Sequence, residues 1–209
     1  MLCIDTLKDM LYTDEFINEI INQSGKFTKL FHEYGVENIF GYGAWKWVFE
    51  TNITNMVMVI GESNILRQEV KFLTKMKNMF IRVPVIYGIF LDIDLLNIKF
   101  VGRFGKEYER KGMFGAILME KLQPIPKEVL LDSDIRLNVL FVLEYLKEKQ
   151  TVIEDLQFMV DNNMNPVFID PKNIMPAYED MIQYFKAEYK HGIEEIQRED
   201  RIVRLETWQ

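Results

Sequence analysis

The chain has 209 residues and a formal net charge of −7, from 25 basic and 32 acidic side chains. That balance argues against a protein that coats nucleic acid or an acidic membrane, because both need a cationic surface. With 48% hydrophobic residues and one cysteine, the chain can bury a core but cannot form an internal disulfide, which favours a reducing compartment.

The N-terminus and the apolar runs predict a protein without a signal peptide or a membrane span. The opening residues, MLCIDTLKDM, carry acidic side chains early and contain no apolar signal core. No apolar run approaches the roughly 20 residues that a bilayer-spanning helix needs. We therefore expect a cytoplasmic protein, in the cell that makes it or in a host cell that it reaches without a signal peptide.

Hydrophobic periodicity predicts an α+β protein in which strands dominate the first half and helices the second. Strands are predicted over residues 45–51, 55–60, 85–91, 98–104 and 115–122, and two short ones over 152–161 and 166–171 around a turn at 162–166. Helices are predicted over residues 13–24, 63–78, 134–149 and 177–199, the first of them stopping at Gly25.

Residues 41–50 read GYGAWKWVFE, in which two glycines precede a strand. Gly41 and Gly43 allow backbone amides to approach a phosphate group closely. Val48 follows at a spacing suited to covering an adenine ring. Two glycines are also typical of an ordinary β-turn, so the stretch gains meaning only from residues further along the chain.

Two aspartates each follow an apolar, strand-like run: VIED ends at Asp155 and VFID at Asp170. The residues between them form a predicted hairpin, and a hairpin brings its two ends together. Two like charges at strand ends in apolar surroundings are costly unless a cation such as Mg²⁺ relieves their repulsion. We therefore expect both carboxylates to converge on one metal site; two exposed turn aspartates are the alternative.

The order of these parts, over roughly residues 38–175, resembles that of the protein-kinase-like superfamily. The run DLQFMVD…VFIDP looks like the catalytic and metal-binding segments of small bacterial, toxin-like and phage kinases, which include compact effector kinases delivered into host cells. The resemblance implies a bilobal kinase-like fold, with an N-terminal helical extension over 1–37, an antiparallel-sheet N-lobe over 38–122 and a reduced helical C-lobe over 123–209.

The resemblance also implies a role for each aspartate and for the residues near them. Asp155 corresponds to the catalytic aspartate and Asp170 to the metal-binding aspartate. Gln157, two residues after Asp155, stands in for the asparagine that holds the second metal site. Asp161 is the alternative to Gln157, because carboxylates bind Mg²⁺ better than amides do.

The connector between the two expected lobes is the end of the strand GAILMEKL. On the resemblance, Met119, Glu120 and Leu122 contact the adenine of ATP, with the backbone groups of Glu120 and Leu122 reading its edge. Glu69, in the middle of the helix predicted over 63–78, pairs with the lysine that binds the phosphates. An ordinary buried strand and a solvated helix glutamate are the alternatives.

The phosphate-binding lysine is missing from its usual place, since the strand NMVMVIG lacks the lysine of a V-A-I-K motif. Lys46 and Val48 are two positions apart, so on a strand both side chains point to one face, and the alternating aromatic residues pack the other. The pattern resembles the loop of the with-no-lysine kinases, which implies that Lys46 binds phosphate and pairs with Glu69. A surface lysine is the alternative.

Several departures from the kinase pattern keep more than one function open. Ile153 and Glu154 replace the His-Arg pair before Asp155, Val160 stands where an asparagine is usual, and Pro171 follows Asp170 in place of phenylalanine. We expect a kinase that uses ATP and Mg²⁺ to phosphorylate Ser or Thr, and less often Tyr, of a host or partner protein. The alternatives are a small-molecule kinase of the antibiotic type and an inactive pseudokinase that binds a partner. The oligomeric state is left open.

Overall fold

A computed structural model gives the structure of the chain for residues 20, 22–36, 38–42, 46–101, 107–124, 133–154, 157–171 and 173–176. The helices are α1 (Gly25–Tyr34), α2 (Ser63–Asn78) and α3 (Ser133–Glu148). The strands are β1 (Ile39–Tyr42), β2 (Lys46–Glu50), β3 (Met56–Glu62), β4 (Ile86–Val101), β5 (Glu107–Glu120), β6 (Thr151–Glu154), β7 (Gln157–Val160), β8 (Pro166–Ile169) and β9 (Asn173–Pro176).

Five strands form one antiparallel sheet in the order β1-β2-β3-β5-β4. The other four form two small antiparallel sheets, β6 with β9 and β7 with β8. The α+β class and the antiparallel sheet predicted from the sequence are thereby confirmed. The predicted helices over 63–78 and 134–149 are present with nearly the predicted bounds. The helix predicted over 177–199 lies outside the described residues.

The chain forms two compact units, Met1–Gln68 with Val85–Glu120, and Glu69–Pro84 with Lys121–Gln209. The first contains the five-stranded sheet and α1, and the second contains the later part of α2, helix α3 and the two small sheets. The predicted lobes divided the chain once near residue 122, whereas the units also divide it inside α2. Within the second unit, the N–H of Phe168 in β8 donates to the carbonyl of Arg82, after the end of α2, at 2.9 Å.

One face of the five-stranded sheet packs against α1. On β2 the two aromatic side chains of this face, Trp47 and Phe49, are 7% and 0% exposed. Phe31 of α1 lies 5.6 Å from Phe49, centroid to centroid. The same core cluster contains Phe27, Leu30, Met58, Ile60, Leu96, Ile98, Phe114, Ala116 and Leu118. The alternation of β2 therefore places Trp47 and Phe49 on one face of the sheet, as predicted, and that face packs against α1.

Helix α1 begins at the glycine that was predicted to stop the preceding helix. Ser24 is its N-cap, because the Ser24 backbone is extended and its Oγ accepts the N–H of Phe27 at 3.2 Å. The Ser24 hydroxyl also donates to the carboxylate of Asp94 in β4. The chain is helical up to Gln23, so Gly25 comes after one helix and opens the next. The predicted break in the helix is therefore correct, whereas the immediate start of a second helix at Gly25 was not predicted.

Strand β4 is longer than predicted, because the two strands expected over 85–91 and 98–104 are one strand with an irregularity between Phe90 and Asp94. At this bulge Asp92 has φ = 53°, and its N–H donates to Ser63 Oγ at 2.8 Å. The Asp92 carboxylate pairs with Arg67 at 2.7 Å. The bulge therefore absorbs extra residues and is bonded to the first turns of α2.

Gly115 lies in β5 where that strand passes the bulge. A Cβ at this position would lie 2.5 Å from the carbonyl oxygen of Phe90 and 3.1 Å from Leu91 Cα. Because backbone atoms would have to move, we expect Gly115→Ala to lower the melting temperature by about 5 °C. Gly112→Ala in the same strand is the control, because a Cβ there meets nothing within 4 Å. Equal shifts for the two variants in thermal unfolding would contradict this close approach.

Candidate functional site

The first part of the candidate site lies in the five-stranded sheet, where Lys46 is the direct cross-strand neighbour of Gly61. Gly61 ends the run VMVIG and occupies the position at which V-A-I-K carries its lysine. Directly opposed residues in antiparallel strands project from the same face of a sheet, about 5 Å apart. A lysine at position 61 would project from this face. The half-buried Lys46 projects from the same face, but from the neighbouring strand β2.

The same face carries a row of apolar side chains. The ladders pair Gly41 with Val48, Val48 with Val59, and Val59 with Ile117. Val59 and Ile117 are 3% and 0% exposed, yet neither belongs to the core cluster that packs against α1. The next row pairs Val57 with Met119. Val59 and Ile117 are therefore covered by other parts of the protein, and Val48 is the partly exposed apolar side chain of this row. Gly43 lies outside the described residues.

The connector after β5 is bonded to the start of β4. The N–H of Glu120 donates to the carbonyl of Val85 at 2.9 Å, and the Glu120 carboxylate accepts the N–H of Val85 at 3.0 Å. The Glu120 N–H is therefore used within the first unit. Leu122, at the start of the second unit, is buried. The contacts of Met119, Glu120 and Leu122 with adenine stay a prediction.

Glu69 lies in α2 and is 9% exposed. A glutamate is rarely so buried unless it has a partner, so the solvated-helix interpretation is wrong. Its neighbour Lys71 is exposed on the same helix. Lys46 and Glu69 belong to different units, and the pair predicted between them stays a prediction.

The second part of the candidate site lies where the two small sheets of the second unit meet. Glu154 at the end of β6 pairs with Asn173 at the start of β9, and Gln157 at the start of β7 pairs with Ile169 at the end of β8. These two pairs therefore lie on either side of the two connections between the sheets, residues 155–156 and residues 170–172. The strand predicted over 152–161 is two strands, because each half pairs with a different partner.

Asp170 follows Ile169 directly and has a left-handed backbone, with φ = 54°. This conformation costs an L-residue up to about 1–2 kcal/mol, and aspartate adopts it more readily than most. Five other described non-glycine residues also have a positive φ, so the Asp170 backbone marks a tight turn after β8. Asp155 lies outside the described residues.

The side chains predicted to bind a metal at this position offer oxygen donors. Asp170 contributes a carboxylate and Gln157 an amide, and both are ligand types that Mg²⁺ takes. Gln157 is exposed and lies across the ladder from the residue before Asp170. Among the described residues, no group of three or more His, Cys, Asp or Glu side chains is placed to hold a metal ion. The donor types fit Mg²⁺, while the complete ligand set is a prediction.

Asp161, the alternative metal ligand, is bound inside the β7–β8 turn. Its Oδ1 accepts the backbone N–H groups of Asn163 at 2.8 Å and Asn165 at 2.9 Å. The side-chain amide of Asn165 lies 3.3 Å from each carboxylate oxygen, and Arg82 lies 3.7 Å from Oδ2. Aspartates in such turns mimic a backbone turn, so Asp161 has a structural task. This favours Gln157 over Asp161.

The Asp161 carboxylate is held in its charged form. Burial raises the pKa of Asp161, but hydrogen bonds from Asn165 and Asn163 and the charge of Arg82 outweigh it, so the pKa lies below its usual range. Because the folded pKa is depressed, this stabilisation is complete above the unfolded pKa of about 3.9 and is lost as pH falls through the folded pKa.

Asp161→Asn should therefore lower the melting temperature at neutral pH, and its difference from the wild type should shrink below about pH 4. Thermal unfolding followed across the acid range measures this difference. A gap that stays constant down to about pH 2 would contradict the assigned charge state.

Comparison with known proteins leaves the site to be interpreted from its own chemistry. No protein-family model matches the chain, and no curated protein sequence matches it. Within the described ranges, no helix is both long enough and apolar enough to cross a membrane.

Sequence reasoning missed two residues of the candidate site. Gly61 became informative only through its register with Lys46, which the sequence does not specify. Arg82 became informative through its approach to Asp161. The run DNNMNP did carry a signal for the Asp161 turn, because aspartate followed by asparagines and a proline is typical of side-chain-capped turns.

Proposed function

We propose that this chain is a Mg²⁺-dependent phosphotransferase with reduced kinase-like lobes, which transfers the γ-phosphate of ATP to a Ser or Thr hydroxyl, and less often a Tyr hydroxyl, of a protein. The observation that supports the proposal most is the pairing of Glu154 with Asn173 and of Gln157 with Ile169. These pairs flank the two connections to which Asp155 and Asp170 belong.

In the proposed reaction the first unit binds the nucleotide. Val48, the partly exposed member of the apolar row, covers the adenine ring, with Met119 beside it. The ammonium group of Lys46 neutralises phosphate charge, and the backbone of the loop that begins at Gly41 lies against the phosphates. This binding contributes orientation and charge neutralisation, which are the main terms in phosphoryl transfer.

The second unit contributes the groups that act at the γ-phosphate. Asp170 and Gln157 would hold Mg²⁺, which when bound neutralises charge on the phosphate oxygens. The Asp155 carboxylate orients the acceptor hydroxyl and takes its proton as the new P–O bond forms. ADP leaves with the electron pair of the bond that breaks. The predicted pairing of Glu69 with Lys46 would orient the lysine through the Glu69 carboxylate.

The acceptor class is tested by measuring ADP release from Mg²⁺-ATP with two sets of acceptors. One set is the protein fraction of a bacterial or host-cell lysate, and the other is a panel of aminoglycosides and sugars. We expect stimulation by the protein fraction alone, and none with Asp170→Ala. Stimulation by the small molecules alone would indicate the antibiotic-type kinase. Thermal stabilisation by ATP without Mg²⁺ and without turnover would indicate a pseudokinase.

A further inference from the structure

The β7–β8 hairpin is fastened to the segment that follows α2, within the second unit. The N–H of Phe168 donates to the carbonyl of Arg82 at 2.9 Å. The guanidinium group of Arg82 reaches the closed end of the hairpin, where Nη2 lies 3.7 Å from Asp161 Oδ2. Arg82 thus contacts both the strand that leads to Asp170 and the turn that sets the hairpin register.

The two oxygens of Asp161 face different partners. Oδ1 is bound by the N–H groups of Asn163 and Asn165 in the turn, and Oδ2 is the oxygen nearest Arg82. The Asp161 side chain is only 11% exposed, whereas that of Arg82 is 39% exposed. The N–H groups of the turn therefore fix the buried carboxylate, and the carboxylate provides an anchor for the more exposed arginine.

A second tie joins α2 to the strand on the other side of Asp170. Lys75 Nζ donates to the carbonyl of Ile174 in β9 at 3.3 Å. Phe168 and Ile174 bracket Asp170 in the chain, so the ties made by Arg82 and Lys75 lie on both sides of it. Glu69 precedes Lys75 on the same helix, and all of these residues belong to one unit.

We propose that Arg82, anchored by Asp161, is a positioning residue that fixes the Asp170 segment to the helix that carries Glu69, and so sets the affinity of Asp170 and Gln157 for a divalent cation. The inference rests on the proposed function for its metal. The left-handed backbone of Asp170 forms a tight turn directly after β8. The bond from Phe168 ends on the backbone carbonyl of Arg82, which every variant keeps. Loss of the Arg82 side chain removes its pair with Asp161, so the hairpin can shift on that backbone bond and Asp170 relaxes away from the ligand geometry.

The test is a double-mutant cycle of Arg82→Met and Asp161→Asn, with Mn²⁺ and a non-hydrolysable ATP analogue as probe. Bound Mn²⁺ is measured by electron paramagnetic resonance, well below the melting temperature of every variant. We expect each single variant to bind Mn²⁺ about tenfold more weakly, and the double variant to be no weaker than either single one. Arg82→Lys should recover most of the wild-type affinity.

Arg67→Met is the matched control, because it removes an arginine–aspartate pair with Asp92 in the first unit. Its Mn²⁺ affinity should equal that of the wild type. Lowered melting temperatures with unchanged Mn²⁺ affinity for Arg82→Met and Asp161→Asn would overturn the proposal, since that is what a merely structural pair produces. Additive losses in the double variant would also overturn it.

A second measurement separates failure of this inference from failure of the proposed function. Amide hydrogen exchange over residues 166–176 should be faster in Arg82→Met than in the wild type, with or without metal. If the wild type binds no Mn²⁺ with the ATP analogue, the proposed function fails, and the proposal that Arg82 sets a metal affinity fails with it. In that case, faster exchange in Arg82→Met than in the wild type would still show that the Arg82 side chain holds this segment in place. Equal exchange in the two proteins would show that it does not.

Discussion

Lys46→Ala should lower phosphoryl transfer by about 10²- to 10³-fold, because it removes the cation proposed to neutralise the phosphates. The expectation rests on register: Lys46 lies opposite Gly61, where the sequence lacks the usual lysine. Because the buried Glu69 is the proposed partner of Lys46, the variant should also lower the melting temperature, so transfer is compared well below the melting temperatures of both proteins. ADP release and thermal unfolding measure the two effects.

Lys71→Ala is the matched control for this prediction. Lys71 is exposed on α2, two residues after Glu69, so it tests whether any lysine near that helix supports the reaction. Transfer by Lys71→Ala should equal that of the wild type. If the two lysine variants lose activity to the same extent, or if Lys46→Ala keeps full activity, Lys46 does not bind the phosphates.

Asp170→Gly should have opposite effects on activity and on stability. Glycine adopts a left-handed backbone without the cost that Asp170 bears at φ = 54°, so the melting temperature should rise by about 2 °C. Loss of the carboxylate should lower phosphoryl transfer by at least about 10³-fold, because the proposed metal ligand is gone. The same two assays, ADP release and thermal unfolding, measure both changes.

Gln150→Gly provides the control for the backbone effect. Gln150 is exposed, has φ = 47°, and lies between α3 and β6. Its replacement should raise the melting temperature by a similar amount while transfer stays at the wild-type rate. Full activity of Asp170→Gly would show that the Asp170 carboxylate is not needed for transfer. A lower melting temperature of the variant would show that the Asp170 side chain stabilises the protein by more than its left-handed backbone costs.

Local sequence patterns predicted the parts of the fold whose contacts are close in sequence. Helix α2 follows from its apolar residues at helical spacing. The β7–β8 hairpin follows from its turn residues, DNNMNP. The packing of Trp47 and Phe49 on one face follows from strand alternation. In each case a few neighbouring residues determine the outcome.

Features that depend on distant partners could not be predicted. The bulge at Asp92 joins two predicted strands into one because β5 continues as their common partner. The start of α1 at Gly25 depends on Ser24, whose hydroxyl also binds Asp94 far along the chain. The bond from Phe168 to Arg82 joins β8 to the segment that follows α2. The partners in these contacts are far apart in the sequence, so local patterns do not indicate them.

For the candidate site too, the sequence predicted one feature and left another open. The sequence predicted that the connections at Asp155 and Asp170 lie together, because a hairpin joins them. It left Gln157 and Asp161 as alternatives, because strand parity places both on one face. The choice depends on turn geometry, in which the amides of Asn163 and Asn165 bind the Asp161 carboxylate.

The most direct test of phosphotransfer is to incubate the purified protein with γ-labelled ATP, Mg²⁺ and the lysate protein fraction, and to measure label bound covalently to protein. The account predicts labelled protein with the wild type and background labelling with Asp170→Ala. No labelling above background with the wild type, or equal labelling with Asp170→Ala, would contradict it.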